Sequence, residues 1–400
     1  MIKTALRNLF RHKRRTVLTF SILSVGIIYY IVLQGMLDGF EFESIRNFIQ
    51  LESGHLKITA QDFNPETFEG KIANYPELEK KLREFTFVKG IAPRLKIIGT
   101  LDNSIDDYPV IIIGIDPEKD KMVFQLNKYL TEDRLTHEGI WIGTVIADKF
   151  KVKEGDYLYL TFKGKEGSIV SQEFEVQGII DCPSFINNNL LVYAPLSTIN
   201  EIGGFKGEIS EISVLTDNFQ KSFLYKEKLS RNFEELKIST WQEEGKDFLS
   251  ISQAKKTAQY VIIFFIILIG IIGTTNTLLI AVFERIREIG TLKAIGMTDK
   301  EILRLFVTEG VLIGIAGSVI GVAVGALLNA YFVKYGTNWS VLLPKDMNWG
   351  YRVSGIIKSS WNLTSILVSL FLGPISTLIA SYIPARRAKK LTPAECLRWV

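Results

Sequence analysis

Four long stretches of the chain contain no charged side chain, and charged, mixed sequence separates them. They are residues 17–37, 258–283, 310–333 and 359–385. A helix needs about 20 apolar residues to cross a bilayer, and each stretch is long enough. We therefore predict four transmembrane helices, which place both termini on the same side of the membrane.

The positions of lysine and arginine predict the orientation of these helices. Residues 1–16 contain six basic residues and no acidic one, and the tail 386–400 contains five basic residues. Basic clusters next to membrane helices stay in the cytoplasm. Both termini and the segment 284–309 are therefore predicted to be cytoplasmic. The segment 38–256 and the short loop 334–358 are predicted to face outwards, although this loop also holds four basic residues.

The first 16 residues have an amphipathic pattern. Ile2, Leu6, Leu9 and Phe10 share one helical face and the basic residues lie elsewhere, which is typical of a helix in the cytoplasmic membrane interface. A solvated basic tail is the alternative. The apolar stretch that follows is too long for a secretory signal and lacks a small-residue cleavage site, so we interpret it as a retained anchor.

Residues 38–256 mix strand-like and helix-like patterns, which predicts a large α+β domain inserted between the first and second membrane helices. Runs rich in β-branched and aromatic residues predict strands at 53–59, 108–115, 156–162, 173–180, 190–194 and 211–216. Helical periodicity predicts helices at 77–85, 143–150, 196–202 and 219–233, and a helical stalk from about residue 242. Cys182 is predicted to lie outside and Cys396 inside, so the two cannot pair as a disulfide.

The sequence offers little for catalysis or metal binding. It has no P-loop nucleotide motif, and His12, His55 and His137 are far apart. Carboxylates cluster between residues 102 and 120 without the spacing of a calcium loop, which indicates solvated turns. We predict no catalytic residue and no metal site. The net charge of +4 lies largely in the two tails and favours anionic lipid headgroups over nucleic acid.

The third apolar stretch carries glycines at helical spacing. Gly310 and Gly314 form one pair, and Gly317, Gly321 and Gly325 form a longer ridge. Small residues at this spacing let helix backbones approach closely. We predict that these glycines are helix-packing sites, but the pattern does not identify the partner helices.

The charged segment 284–309 lies between the second and third apolar stretches. Ile286, Ile289, Leu292 and Ile295 predict one apolar helix face, with the charged residues away from it. We expect this face to be buried in the membrane interface or in the groove of a partner protein. A helix that only rests on the membrane is the alternative.

Two segments resemble the FtsX/MacB-type permeases of ABC transporters. Residues 276–325 resemble the core signature of that family and residues 381–398 its C-terminal signature, which gives a permease domain at about 258–393. The outer stretches LDGFE, IGIDPEKD, ADKFKVKEGDYLYL and TWQEEGKDF are similar to the LolC/LolE lipoprotein-releasing branch.

The resemblance implies a permease of the cell inner membrane that has no cofactor of its own. Its implied partners are an ABC ATPase dimer that binds ATP and Mg²⁺, a second permease (identical or different), lipoprotein substrates, a periplasmic carrier and membrane lipids. ATP-driven motion would reach the outer domain by mechanotransmission. The residues assigned to ATPase coupling are Glu284, Arg285, Arg287, Glu288, Gly290, Lys293, Ala294 and Gly296. Those assigned to a substrate path between the first two membrane helices are Tyr30, Leu33, Met36, Leu37, Tyr260, Phe264 and Leu268.

Two alternatives share the resemblance. An FtsX-like protein would transmit a signal to an outer hydrolase, but its outer domain is usually much smaller. A MacB-like protein would export drugs or peptides, but there the ATPase is fused to the permease. One departure concerns residues 163–173, where the carrier-recruiting permease has a long hairpin and this chain is short. That difference argues against carrier recruitment by this subunit.

Overall fold

The computed structural model describes residues 5, 7–9, 13–132, 134–339, 352–353, 355–390, 392 and 396. They form two compact units. We call Met1–Phe40, Gln253–Thr337 and Ile357–Val400 the helical unit, and Glu41–Ser252 with Asn338–Ile356 the sheet unit. Most of the predicted interfacial helix at 1–16, most of the loop 334–358 and most of the tail beyond residue 390 lie outside the described residues.

The described helices and strands are numbered here in chain order. The helices are α1 (Lys13–Phe48), α2 (Tyr75–Leu82), α3 (Pro117–Val123), α4 (Thr144–Phe150), α5 (Phe185–Asn189), α6 (Leu196–Ile202), α7 (Ser222–Ser230), α8 (Trp241–Glu244), α9 (Lys246–Glu284), α10 (Ile286–Ala294), α11 (Asp299–Tyr335) and α12 (Leu363–Lys390). The strands are β1 (Leu56–Ala60), β2 (Val88–Asp102), β3 (Asp107–Ile115), β4 (Gly139–Gly143), β5 (Tyr157–Lys163), β6 (Ile169–Ile180), β7 (Leu191–Pro195), β8 (Glu211–Thr216), β9 (Leu236–Thr240), β10 (Thr337–Asn338) and β11 (Ile356–Ile357).

Strand β2 takes part in two different arrangements within the sheet unit. Its second half pairs with β3 on one side and β5 on the other, and the pairings β3–β7–β4–β6–β5 close a ring of six strands. Its first half pairs with β8, which continues through β1 to β9 as an open antiparallel sheet. Closing the ring leaves its strands without free edges.

Each arrangement has its own core. The core of the ring includes Leu95, Leu101, Ile112, Leu160 and Phe174, all essentially without exposed surface. The open sheet buries its apolar face against α2 and α7, in a cluster that includes Leu56, Ile91, Leu82 and Leu229. The prediction of an α+β domain agrees with this mixture of a largely antiparallel sheet and short helices.

All the strands and helices predicted between residues 53 and 233 are present, most of them with shifted ends. The strands β2, β4 and β9 and the helices α3 and α5 were not predicted. The interpretation of the carboxylates at 102–120 as solvated turns is wrong for Asp120, which is buried. Its two oxygens accept hydrogen bonds of 2.7 and 3.0 Å from Arg94, whose guanidinium stacks on Phe124. A buried carboxylate needs such a partner.

Three helical stretches among the described residues are long and apolar enough to cross a membrane, judged by length and composition. They are Thr16–Ser53, Asp299–Tyr335 and Leu363–Lys390. They contain the predicted spans 17–37, 310–333 and most of 359–385. The predicted span 258–283 lies within the continuous helix α9, and the count of four membrane helices stays a prediction.

The glycines of α11 lie against two different helices of the helical unit. A Cβ atom on Gly310 or Gly314 would come within 2.6 Å of Ser381 or 2.2 Å of Thr377, both on α12. The Gly317, Gly321 and Gly325 ridge instead meets α1, where added Cβ atoms would lie 2.9 to 3.2 Å from Leu23, Ile27 and Ile31. Helix α11 therefore packs between α12 and α1 with a different set of glycines for each.

Candidate coupling segment and apolar cavity

The predicted coupling segment 284–309 folds as a short helix between two long ones. Helix α9 ends at Glu284, α10 begins after a break at Arg285, and Gly296 has a positive φ of 104° that ends the turn after α10. Thr298 then starts α11 with a reciprocal cap, since its hydroxyl accepts from Glu301 N and the Glu301 carboxylate accepts from Thr298 N. Helix α10 is therefore bounded by two defined turns.

The apolar face of α10 is buried inside the helical unit. Ile286 and Ile289 are each 1% exposed and pack with Val282, Ile302 and Phe306. Residues of α12 complete the cluster, and Leu292 packs at its edge. The expectation that this face lies in the membrane interface or in a partner's groove is wrong, because the chain's own helices cover it.

Ile295 departs from the predicted face. It is 80% exposed, because it lies nine residues after Ile286, about two and a half helical turns, and therefore on the opposite side of the helix. It shares the exposed side of α10 with Arg287, Thr291 and Ala294. Their spacing of four, seven and eight residues from Arg287 places all of them on one helical face.

Arg285 is the centre of a buried ion-pair network. Its Nη1 donates to Glu309 Oε2 at 2.9 Å and its Nε donates to Glu288 Oε2 at 2.7 Å. The side chains of Arg285 and Glu309 are only 4% and 3% exposed. Asn8 also donates to Glu309, at 2.7 Å. The network joins the start of α10 to α11 and to the N-terminal segment.

The predicted coupling residues thus fall into two groups. Arg285, Gly290 and Lys293 hold α10 in place: Gly290 is buried, and the Lys293 ammonium lies 2.8 Å from Asp299 and 2.6 Å from the Lys389 carbonyl. Glu288 is half-buried beside Arg285. The exposed ones are Glu284, Arg287, Ala294 and Gly296.

Sequence reasoning missed Glu309, Thr291 and the exposed position of Ile295. Glu309 could have been noticed, since it is an acidic residue directly before an apolar stretch, and ionisable groups at such positions are usually paired.

An apolar cavity of about 60 Å³ lies between α1, α9 and α12. Its lining includes Ile27 and Tyr30 of α1, Ile267 and Ile271 of α9, and Gly373 of α12. Of the predicted substrate-path residues only Tyr30 lines it. Leu33, Met36 and Leu37 are half-buried elsewhere on α1, and Tyr260, Phe264 and Leu268 are exposed on α9. The contribution of α12 was missed, because spacing within one stretch does not show which helices meet.

Comparisons with known proteins agree on the type of protein. Residues 16–223 match the MacB-like periplasmic core domain and residues 260–393 match the FtsX-like permease C-terminal domain. The lipoprotein-releasing system transmembrane protein LolE of Haemophilus influenzae is 23% identical, covering 94% of this chain and 92% of that protein. The macrolide export ATP-binding/permease protein MacB of Campylobacter fetus is 25% identical, covering 96% of this chain but only 59% of that protein.

A likeness is also found among solved structures. The periplasmic region of MacB from Actinobacillus actinomycetemcomitans aligns with a TM-score of 0.35 and 13% identity, covering 54% of this chain and 98% of that one. The two matched domains and the apolar helices lead to one conclusion: the chain belongs to the FtsX/MacB/LolCE family of membrane-spanning ABC transporter permeases.

Proposed function

We propose that this chain is a permease subunit of an ABC transporter of the inner membrane. In this proposal a separate ATPase hydrolyses ATP, and the permease uses the resulting motion to extract lipoproteins from the membrane and pass them towards the outer membrane. Four membrane helices would leave both termini and α10 in the cytoplasm and the sheet unit outside, as the basic tails favour.

The observation that carries the proposal is that α10 is buried on one side and exposed on the other. One side is fixed in the core formed with α9, α11 and α12, and the other side presents Arg287, Thr291, Ala294 and Ile295. A partner that pushes on the exposed side would displace the attached long helices, because the buried side and the Arg285 network oppose any independent movement of α10. This is the property that a coupling helix needs.

Ile295 is the strongest candidate for an anchor in the ATPase. Ile295 is 80% exposed, whereas Ile286 and Ile289 of α10 are each 1% exposed. Burying such a side chain in a partner contributes about 1.5–3 kcal/mol. We expect Ile295→Asp to weaken ATPase binding by about tenfold or more, since each 1.4 kcal/mol is a factor of ten.

The experiment compares Ile295→Asp with Ile169→Asp after co-purification with the ATPase. Ile169 is also 80% exposed but lies on β6 of the sheet unit. The proposal expects loss of ATPase binding and of ATPase stimulation in the first variant only. Normal binding by Ile295→Asp, or equal loss in both variants, would contradict the docking assignment.

The cavity between α1, α9 and α12 supports a lipid-like substrate. Its surroundings are apolar, and Gly26 and Gly373 line it without a side chain that would fill it. We propose that lipoprotein acyl chains enter between α1 and α9, together with a second permease. A photo-crosslinking residue at Tyr30 should then capture lipoprotein, whereas one at Leu327, 72% exposed on α11, should capture only lipid.

A second candidate function is MacB-like export, because the macrolide exporter is as similar to this chain as LolE is. Capture of a macrolide probe at Tyr30, with no lipoprotein captured, would favour export. Activation of an outer hydrolase without any captured substrate would favour an FtsX-like signal transmitter.

A further inference from the structure

Arg352 joins the segment between α11 and α12 to the far end of α1. Its backbone N–H donates to Ser44 Oγ at 2.7 Å, and its carbonyl accepts from Asn47 Nδ2 at 2.7 Å. Its guanidinium donates to both oxygens of Glu52, at 2.6 and 2.9 Å, and lies 4.8 Å from the centre of the Phe48 ring. Both the main chain and the side chain of Arg352 are thus bound to the end of α1.

The partners of Arg352 form one continuous surface. Ser44, Asn47 and Phe48 are three and four residues apart, so they lie on one face of α1. Glu52 follows in the π-helical turn Ile49–Ser53 that ends this helix. The side chains of Arg352 and Glu52 are 18% and 11% exposed, and a partly buried bidentate pair is stronger and more directional than a surface pair.

Glu52 also binds a third segment. The Ser184 hydroxyl donates to Glu52 Oε1 at 2.7 Å, and the same Ser184 oxygen caps α5 by accepting from Asn187 N. The carboxylate therefore connects the end of α1, the start of α5 and the segment at residue 352. These three parts are far apart in the sequence, and all of them belong to the sheet unit.

The segment at 352 is continuous with two helices of the helical unit. Residues 353–362 lead from Arg352 into α12. The other end of the loop follows α11. Its strand β10 pairs with β11 on the α12 side of the loop, and Trp339 N donates to the Gly355 carbonyl at 2.9 Å. Apart from this loop, the chain passes from one unit to the other only within α1 and within α9.

We propose that the Arg352–Glu52 pair is a force-bearing clasp. It fastens the α11–α12 connection to the end of α1 and to α5, so that displacement of α11 and α12 reaches the sheet unit. The inference rests on the proposed mechanotransmission. Arg352 acts as a positioning residue.

The test uses the permease–ATPase complex in lipid nanodiscs and measures substrate released per ATP hydrolysed. Arg352→Ala should lower this ratio by about tenfold, the effect of about 1.4 kcal/mol on an equilibrium, while ATP hydrolysis continues. The charge exchange Glu52→Arg with Arg352→Glu should regain much of the ratio. Arg231→Ala, which removes an exposed pair with Glu227, is the matched control and should have no effect.

The outcomes separate the clasp from the proposed function. If the unaltered complex releases no substrate, the proposed function fails. If it releases substrate and Arg352→Ala keeps the full ratio, the clasp is overturned. Should Arg352→Ala not assemble, Arg352→Lys keeps the charge and loses the bidentate contact, and a ratio equal to that of the unaltered protein would overturn the clasp as well.

Discussion

Removing the Arg285 guanidinium is expected to destabilise the helical unit. Glu309 would then hold a charge at a position only 3% exposed, with its main cationic partner gone. Breaking a buried ion pair from one side costs about 3–5 kcal/mol. Asn8 still donates a hydrogen bond to Glu309, so we expect Arg285→Met to lie at the lower end, at about 3 kcal/mol.

The double variant Arg285→Met with Glu309→Met separates charge from shape. With both buried charges removed, the cost should fall to about 1 kcal/mol or less, since well-packed apolar residues can replace a buried pair. Glu288 stays, but its side chain is 33% exposed and can turn to water. The double variant should therefore be more stable than Arg285→Met alone.

The assay is unfolding of the purified protein by SDS in mixed micelles, with the free energy of unfolding compared between variants. Lys81→Met, which removes an exposed pair with Glu77, is the control and should change little. The reasoning fails if Arg285→Met costs less than about 1 kcal/mol, or if the double variant is as unstable as the two single changes added together.

Three further predictions concern single residues. Gly321→Leu should cost about 1–3 kcal/mol by overpacking, because even a Cβ there lies 2.9 Å from α1, whereas Gly273→Leu has open space and should cost little in the same SDS assay. Gly296→Ala should cost about 1 kcal/mol through its φ of 104°, measured as thermal stability. Burial lowers the pKa of His55 to about 4. Between pH 6.5 and 4 the unfolded state therefore binds a proton that the folded state does not, and the free energy of unfolding falls as the pH is lowered through that window. The loss is about 3 kcal/mol at most; His55→Asn, which keeps an acceptor for Thr216 N, should abolish this dependence in urea unfolding at several pH values.

Local patterns predicted most of the sheet unit. Strands β5 and β8 alternate or run apolar between turn residues, so their type follows from the sequence alone. Strand β2 contains Gly90, Pro93 and Gly99, which weaken a strand pattern. It persists because β8, β3 and β5 pair with it along its length, and such pairing is not visible in a single segment.

The candidate site shows the same limit. The periodicity of Ile286 and Ile289 correctly predicts a buried helix face, but not what covers it. Glycine spacing likewise predicts close packing of α11, but not that one set meets α12 and the other α1. Periodicity reports which side of an element is covered, whereas the covering element depends on contacts between distant residues.

A tight turn at residues 164–168 joins β5 and β6. Gly164 N donates to the Ser168 carbonyl at 2.8 Å, and Lys165 N donates to the Gly203 carbonyl at 2.9 Å. The main chain of this turn is therefore hydrogen-bonded within its own domain. Deleting residues 164–168 should therefore leave carrier binding unchanged, and a loss of strong binding on deletion would contradict this.

Because β2 is shared by the ring and the open sheet, it affects how the sheet unit unfolds. Ile91 belongs to the core of the open sheet, while Leu95 and Leu101 belong to that of the ring. If either the ring or the open sheet unfolds, β2 loses hydrogen-bond partners, and the other half depends on β2. Amide hydrogens of both halves should thus exchange with solvent through one shared opening event. An excised ring or an excised open sheet would present a bare strand edge and aggregate.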